Sequence, residues 1–148
     1  PPAMSPTDIN ECCQECIQKV SQSSYRAVSI RFVPAREKFH LHTSCMLISK
    51  AITEMLRNAV HFAADGEITL AYTLDRRITF TVTDSGPGIP ACEAEHIFGR
   101  FVKLDTFSQG LGLGLTVCRL IASALGGTIK LDTNYSGGAR FALSIPLR

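Results

Sequence analysis

The sequence predicts an α+β fold in which helices pack on one face of a mixed, largely antiparallel sheet. Residues 68–73 and 78–83 alternate apolar and polar side chains at the period of a strand. The connection between them is short enough for an antiparallel hairpin. Helical patterns occupy residues 8–20, 44–62 and 114–125. Because helices and strands follow one another in mixed order, the helices are expected to cover one face of the sheet.

The remaining elements are predicted from turn and breaker residues. A strand is expected near residues 27–33, and Pro34 ends it because proline cannot donate to a sheet ladder. A short helix is expected over residues 91–98, directly after Pro90. Gly126 is the natural end of the last helix, since glycine readily adopts the left-handed conformation found there. Two strands in a final hairpin complete the sheet.

Composition indicates one domain and argues against several functions. The 148 residues are 45% hydrophobic, which suffices for one core. A single domain is expected over residues 1–148, with a disordered tail or linker over residues 1–7. The net charge of +2 is too small to indicate a nucleic acid or an anionic membrane as a partner. No apolar run approaches the ~20 residues that span a bilayer, and the first residues do not resemble a signal peptide.

The most informative motif is Asp84-Ser85-Gly86-Pro87-Gly88-Ile89, at the end of a predicted strand. Asp84 continues the alternation of that strand's apolar positions, so its carboxylate is expected on the buried side. A buried carboxylate needs a partner, and an adenine amino group would suit it. Gly86 and Gly88 would let the backbone approach a flat ring closely. The alternative is an ordinary turn after a strand, capped by Asp84.

A polar stripe is predicted on the long helix. At ~100° per residue, Glu54, Asn58 and His61 fall within roughly 60° of one another. The Asn58 amide oxygen suits Mg²⁺, which keeps waters and phosphate oxygens as its other ligands. Glu54 could orient or polarise an acceptor, and His61 could meet a phosphate. The alternative is a solvated helix face. The apolar residues on the opposite side are Ile48, Ile52, Met55, Leu56 and Ala59.

A glycine-rich run, Gly110-Leu111-Gly112-Leu113-Gly114-Leu115, leads into the last predicted helix. It is not a dinucleotide fingerprint, because Leu115 stands where the third glycine would be, and it is not a phosphate loop, because it contains no Gly-Lys-Ser/Thr. What remains is a helix N-terminus whose free N–H groups favour phosphate. Glycines that allow close helix packing are the alternative.

The six cysteines include a C-x-x-C spacing within Cys12-Cys13-Gln14-Glu15-Cys16. These residues lie in a predicted helix and no second pair follows, so reduced thiols are expected rather than disulfides or a zinc site. Cys45 and Cys118 are expected to be small core residues.

In their order along the chain, these motifs resemble the catalytic and ATP-binding domain of sensor histidine kinases, within the superfamily of gyrase, Hsp90, histidine kinase and MutL ATPases. The resemblance covers essentially everything from Asp8 onward. Four segments resemble the family's N box, first glycine box, F box and second glycine box: Glu54 to His61, Asp84 to Gly88, Phe98-Gly99-Arg100-Phe101, and Gly110 to Leu115. Three further segments resemble its closing hairpin and terminal strand: Gly126 to Ile129, Gly137 to Phe141, and Ile145 to Leu147.

The resemblance implies the Bergerat fold, a two-layer α/β sandwich, with ATP and Mg²⁺ as cofactors. It implies donation of the γ-phosphate to a histidine on a separate dimerisation and phosphoacceptor domain, with a response regulator receiver downstream. A cytoplasmic location is implied, compatible with a parent protein anchored in the inner membrane. None of the four histidines is followed by the acidic residue and proline of the family's phosphoacceptor helix: His40, His42, His61 and His96.

The resemblance also implies roles for individual residues. Glu54 is the implied catalytic residue and Asn58 the Mg²⁺ ligand. Residues 102–109 would form a short lid with Lys103 as its only cation, and Phe98 and Phe101 would dock that lid. The implied ATP site comprises Asn58, His61, Asp84, Gly86, Gly88, Ile89, Phe98, Phe101, Lys103, Gly110, Leu111, Gly112, Leu113, Gly114 and Leu115.

Three positions depart from the family pattern. Gly99 stands where an acidic residue is frequent, Val102 where an aromatic residue is frequent, and His61 where lysine is frequent. A neutral imidazole near pH 7 attracts phosphate less than an ammonium group does, so His61 implies weaker phosphate affinity. Two other functions remain open: a serine kinase of the anti-sigma branch, against which the F box and short lid count, and a non-catalytic nucleotide-binding pseudokinase or scaffold.

Overall fold

The structure is a computed structural model, and it describes residues 3–24, 28–63, 66–98 and 111–147. Its strands are β1 Ser5–Asp8, β2 Ile30–Val33, β3 His40–Thr43, β4 Ile68–Leu74, β5 Arg77–Asp84, β6 Thr128–Leu131 and β7 Ala139–Pro146. Its α-helices are α1 Ile9–Ser23, α2 Cys45–Ala63 and α3 Leu111–Ala124. Two short 3-10 turns occupy Ala91–Glu93 and His96–Phe98.

The main sheet has five strands in the order β2-β4-β5-β7-β6. Strand β2 pairs with β4 in parallel, and the other pairs are antiparallel. Every second residue of β5 is buried, from Ile78 to Asp84, and the helical layer covers that face. The predicted α+β class, with helices on one face of a mixed sheet, is confirmed.

Helix α2 lies in the middle of the helical layer. It packs against α1 on one side and α3 on the other, and it also contacts β4 and β5. The apolar face predicted for this helix is at most 2% exposed at every position. Within the described ranges, no helix combines the length and the apolar character that crossing a bilayer requires.

A second, two-stranded sheet corrects the prediction for the start of the chain. Residues 1–7 were expected to be a tail or linker, but Ser5 to Thr7 belong to β1, which pairs antiparallel with β3. The buried Thr7 hydroxyl also donates to the carbonyl oxygen of Thr43 at 3.4 Å. A strand of four residues is too short for its side-chain pattern to be recognised in the sequence, so β1 and β3 could not be predicted.

Other element boundaries differ modestly from expectation. Helix α3 begins at Leu111 rather than Gly114, and β2 begins at Ile30. The helix expected over residues 91–98 is instead two 3-10 turns, a geometry common in short connections. Gly126 ends α3 as predicted, with φ +77°.

All six cysteines are free thiols. Cys118 is fully buried, as predicted, but Cys45 is exposed, so its assignment to the core was wrong. Cys45 is the first residue of α2, where its sulfur lies 3.9 Å from the Ser49 hydroxyl oxygen. No group of three or more His, Cys, Asp or Glu side chains within residues 3–24, 28–63, 66–98 and 111–147 is arranged to hold a metal ion.

Candidate functional site

The turn after β5 lies directly against the C-terminal end of α2. A Cβ added to Gly86 would stand 2.6 Å from the carbonyl oxygen of Phe62, which leaves no room for a side chain. Gly88 has φ +82°, a conformation that other residues rarely adopt, and its added Cβ would stand 3.0 Å from the oxygen of Gly138. The first glycine box therefore forms a tight turn between α2 and the start of β7. The close approach that these glycines permit is made here to protein backbone.

Asp84 ends β5 at the base of that turn and is only 3% exposed. Its Oδ1 accepts hydrogen bonds from the backbone N–H groups of Gly86, at 2.9 Å, and Ala139, at 3.3 Å. No described residue hydrogen-bonds to its Oδ2. Burial raises the pKa of Asp84, and the two backbone donors oppose that shift. The predicted burial of this carboxylate is confirmed, and one of its oxygens is left for an external donor.

Asn58 is 2% exposed in the middle of α2. Its Oδ1 is buried and has no hydrogen-bond partner among the described residues. An unsatisfied buried acceptor costs about 1–3 kcal/mol, so this oxygen calls for an electron-poor partner. An amide oxygen is a suitable ligand for a hard cation such as Mg²⁺, and a single protein ligand is common for that ion. Asn58 therefore fits a magnesium site.

Glu54 lies one turn before Asn58, and its side chain is 12% exposed. Its Oε2 accepts hydrogen bonds from Lys50 Nζ at 3.0 Å and from Arg57 Nη1 at 3.2 Å. Its Oε1 faces α3, since a Cβ added to Gly114 would stand 2.6 Å from that atom. Glu54 thus lies where the N box helix packs against the helix of the second glycine box.

Lys50 and Arg57 were not singled out from the sequence. Both stand at spacings from Glu54, four residues before and three after, at which side chains meet on a helix. That signal was visible in the sequence. The interpretation of the stripe as a solvated face does not fit Asn58, which is buried.

His61 and Phe98 occupy different environments. His61 is exposed in the last turn of α2, and its ring meets Phe62 edge to face at 5.0 Å.

Phe98 is 2% exposed. Its ring packs edge to face against Phe141 at 5.9 Å and lies beneath the Arg119 guanidinium at 5.3 Å. This packing places Phe98 in the core. Ile89 is half-buried against the same core.

Several predicted site residues lie outside the described part of the chain: Phe101, Lys103, Gly110 and the rest of the lid over residues 102–109. The second glycine box from Leu111 to Leu115 forms the first turn of α3, and Leu115 is buried. Free N–H groups at such a helix N-terminus favour a phosphate.

Comparison with known protein families identifies the domain. Residues 46–148 match the family described as histidine kinase-, DNA gyrase B- and HSP90-like ATPases. The chain belongs to this ATPase family. The matched range contains the stripe on α2, the turn after β5 and the N-terminus of α3.

Sensor kinases are among the relatives of this ATPase domain. It is 40% identical to Sensor protein RstB of Escherichia coli K12 over 105 residues, which are 68% of this chain and 24% of RstB. It is 30% identical to Adaptive-response sensory kinase SasA of Synechocystis sp. PCC 6803 over 148 residues, covering 96% of this chain and 39% of SasA. The chain thus spans 24% of the length of RstB and 39% of the length of SasA.

Solved structures share the fold of this ATPase domain. The nucleotide-free catalytic domain of histidine kinase ThkA superposes with TM-score 0.81 at 26% identity, covering 98% of this chain and 96% of that chain. The mycobacterial sensor histidine kinase MprB gives TM-score 0.84 at 21% identity, with 99% of both chains covered. Full-length ShkA in complex with AMPPNP gives TM-score 0.88 at 23% identity, covering 99% of this chain and 32% of that chain.

Proposed function

We propose that this ATPase domain binds Mg-ATP and donates the γ-phosphate to a histidine on a separate dimerisation and phosphoacceptor domain. The observation that carries the proposal is the buried Asn58 Oδ1, which has no hydrogen-bond partner among the described residues. Asn58 lies on α2, within the range that matches the ATPase family. Relatives named as sensor kinases support the histidine kinase branch of the family. ShkA, which shares the fold, is described in complex with AMPPNP.

Asp84 selects the base in this proposal. Its carboxylate would accept a hydrogen bond from the adenine amino group, since Oδ1 is already engaged and Oδ2 has no described donor. Guanine carries a carbonyl at that position and offers no donor, so ATP should be preferred over GTP. The N-terminus of α3 would face the phosphates.

Asn58 would hold Mg²⁺ through its amide oxygen. When bound, the ion neutralises charge on the phosphate oxygens. Glu54 would act on the acceptor side, and Lys50 and Arg57 fix its position. Because phosphoryl transfer depends mainly on positioning and charge neutralisation, a fixed carboxylate matters more here than covalent chemistry by the protein.

The acceptor would come from another part of a longer protein, and a response regulator receiver would take the phosphoryl group afterwards. The cytoplasmic location implied by the sequence resemblance belongs to this proposal.

The test mixes the purified chain with the phosphoacceptor domain of its parent protein and radioactive Mg-ATP. Label should appear on the acceptor domain and should be lost in acid but retained in alkali, as phosphohistidine is. Acid-stable label would indicate a serine kinase instead. ATP binding without any transfer would indicate a non-catalytic nucleotide-binding module.

A further inference from the structure

Gly114, in the second glycine box, lies beside the Glu54 side chain of α2. A Cβ built on Gly114 would stand 2.6 Å from Glu54 Oε1, 3.6 Å from its Cδ and 3.9 Å from its Cβ. All three of these atoms belong to one side chain. The space that a side chain at position 114 would fill is therefore occupied by the Glu54 carboxylate.

The Glu54 carboxylate is restrained in this space. Its Oε2 accepts hydrogen bonds from Lys50 Nζ at 3.0 Å and from Arg57 Nη1 at 3.2 Å. Both donors lie on α2, so they hold the carboxylate relative to its own helix. Because both bonds end on Oε2, they leave Oε1 directed toward α3. A new side chain at position 114 would have to push Oε1 against this restraint.

The contact bears on why the second glycine box has a glycine at position 114. A missing Cβ could let a phosphate approach, or it could allow close packing of two helices. At Gly114 the Cβ direction leads to Glu54 of the neighbouring helix, which favours close packing. The backbone N–H of Gly114 belongs to the first turn of α3 and is present whatever the side chain. An alanine would therefore keep that N–H group and displace the carboxylate.

We propose that Gly114 is a positioning residue for phosphoryl transfer, because its missing side chain leaves the space in which Glu54 holds its carboxylate. The inference rests on the proposed function, in which Glu54 acts on the acceptor side. In this role Gly114 acts through Glu54 and need not contact the nucleotide. A misplacement of about 1 Å can slow a positioned reaction about a hundredfold, so a displaced carboxylate should be felt in the transfer rate.

The displacement can be measured without an activity assay. In a chain labelled with ¹³C at the glutamate carboxyl carbons, the Glu54 resonance is assigned by its loss in Glu54→Gln. Gly114→Ala should shift this resonance. An unchanged Glu54 resonance in the folded Gly114→Ala variant would overturn the proposal.

A matched control on the same helix is Ser123→Ala. Ser123 is exposed and lies nine residues beyond Gly114, roughly 13 Å along α3. Replacing it with alanine raises helix propensity, as Gly114→Ala does, without approaching Glu54. The Glu54 resonance and the transfer rate should both stay as in the wild-type chain. A shift as large as that of Gly114→Ala would mean that helix stability, not contact with Glu54, moves the carboxylate.

Transfer kinetics test the consequence for the reaction. With the parent's phosphoacceptor domain and saturating Mg-ATP, Gly114→Ala should lower the transfer rate about tenfold or more. The Kd for Mg-ATP should stay within about twofold of wild type, because an interaction used only in the transfer step is lost. A raised Kd with an unchanged rate at saturation would assign Gly114 to the nucleotide and overturn the proposal.

A shorter carboxylate separates positioning from a general loss of packing. Aspartate lacks one methylene group, so Glu54→Asp draws the carboxylate back from α3 and should itself slow transfer. Combined with Gly114→Ala, it should be no slower than Glu54→Asp alone, because the added methyl group no longer meets the carboxylate. A further fall in the double variant would show that Gly114→Ala acts by a route other than Glu54.

The wild-type chain distinguishes failure of this inference from failure of the proposed function. No label on the acceptor domain with the wild-type chain would overturn the proposed function and, with it, the role of Gly114 in transfer. Equal labelling rates for the wild-type chain and Gly114→Ala would overturn the role of Gly114 alone.

Discussion

Asp84 combines a cost in stability with a proposed role in nucleotide binding. Its carboxylate is buried, and its folded-state pKa is raised above the ordinary value. A raised carboxyl pKa means that the folded state loses stability as pH rises through the window between the unfolded and folded pKa values. Above that window the charge stays buried at a cost. A position that costs stability yet fits a ligand is typical of a functional site.

Asp84→Asn should therefore separate stability from binding. Asparagine keeps an acceptor oxygen for Gly86 and Ala139 but carries no charge, so the variant should be more stable than wild type at pH 7. The difference should shrink in acid, where Asp84 is itself protonated. Urea unfolding at several pH values measures this effect. A variant less stable than wild type at pH 7 would show that the carboxylate charge is compensated within the fold.

The same substitution should weaken the binding of ATP. A hydrogen bond to a charged group contributes about 1.5–3 kcal/mol, so the affinity should fall about ten- to a hundredfold. Calorimetry with ATP and GTP checks the result and the base preference together. Equal affinity of the wild-type chain for the two nucleotides would exclude Asp84 as the acceptor for the adenine amino group.

Asn58 and Glu54 should have distinct effects although they are one turn apart on α2. Asn58→Ala should remove the Mg²⁺ dependence of ATP binding, because its unpartnered oxygen is the proposed ligand. Glu54→Gln should leave ATP binding near wild type and slow transfer to the acceptor domain. Titrations with and without Mg²⁺, paired with a transfer assay, distinguish them. Loss of ATP binding in a folded Glu54→Gln variant would contradict this division of roles.

At the scale of single residues, the sequence predicted burial better than it predicted partners. The alternation in β5 correctly placed Asp84 on the buried face. The hydrogen bond from Ala139 could not be foreseen, because it joins residues 55 positions apart. The stripe of Glu54, Asn58 and His61 followed from helical spacing, but the contact of Glu54 with Gly114 depends on how α2 packs against α3.

That contact yields a prediction about two packed helices. Gly114→Ala places a methyl group 2.6 Å from Glu54 Oε1, and Lys50 and Arg57 restrain the carboxylate from moving away. The overpacked variant should lose roughly 1–3 kcal/mol of stability. Adding Glu54→Ala removes the obstacle, so the double variant should be more stable than additivity of the two single changes predicts. Additive losses in a double-mutant cycle of urea unfolding would show that the contact does not limit the packing.

At the scale of elements, long periodic segments were predictable and short ones were not. The hairpin of β4 and β5 and the helix α2 follow from repeated apolar spacing, which sums over many residues. Strands β1 and β3 are four residues each, and their pairing depends on backbone contacts across a separation of more than thirty residues. Such pairing leaves little trace in local side-chain pattern. The two 3-10 turns, Ala91–Glu93 and His96–Phe98, were mistaken for one helix because each is too short to show a period of its own.

The whole domain should bind ATP yet fail to label itself. Its four histidines lie on separate elements: His40 and His42 on β3, His61 at the end of α2, and His96 in a 3-10 turn. None has the sequence context of a phosphoacceptor helix. Transfer requires an acceptor held in line with the γ-phosphate, and that geometry is expected only when the acceptor domain is present.

The measurement compares ATP binding and self-labelling in the same preparation. Calorimetry should show Mg²⁺-dependent ATP binding, while radioactive ATP should leave the chain unlabelled. Adding the parent's phosphoacceptor domain should produce acid-labile label on that domain, and Glu54→Gln should reduce it. His61→Gln is a useful variant to include, because the sequence predicts that His61 meets a phosphate. Stoichiometric label on the chain alone, mapped to any of the four histidines, would mean that the domain carries its own acceptor.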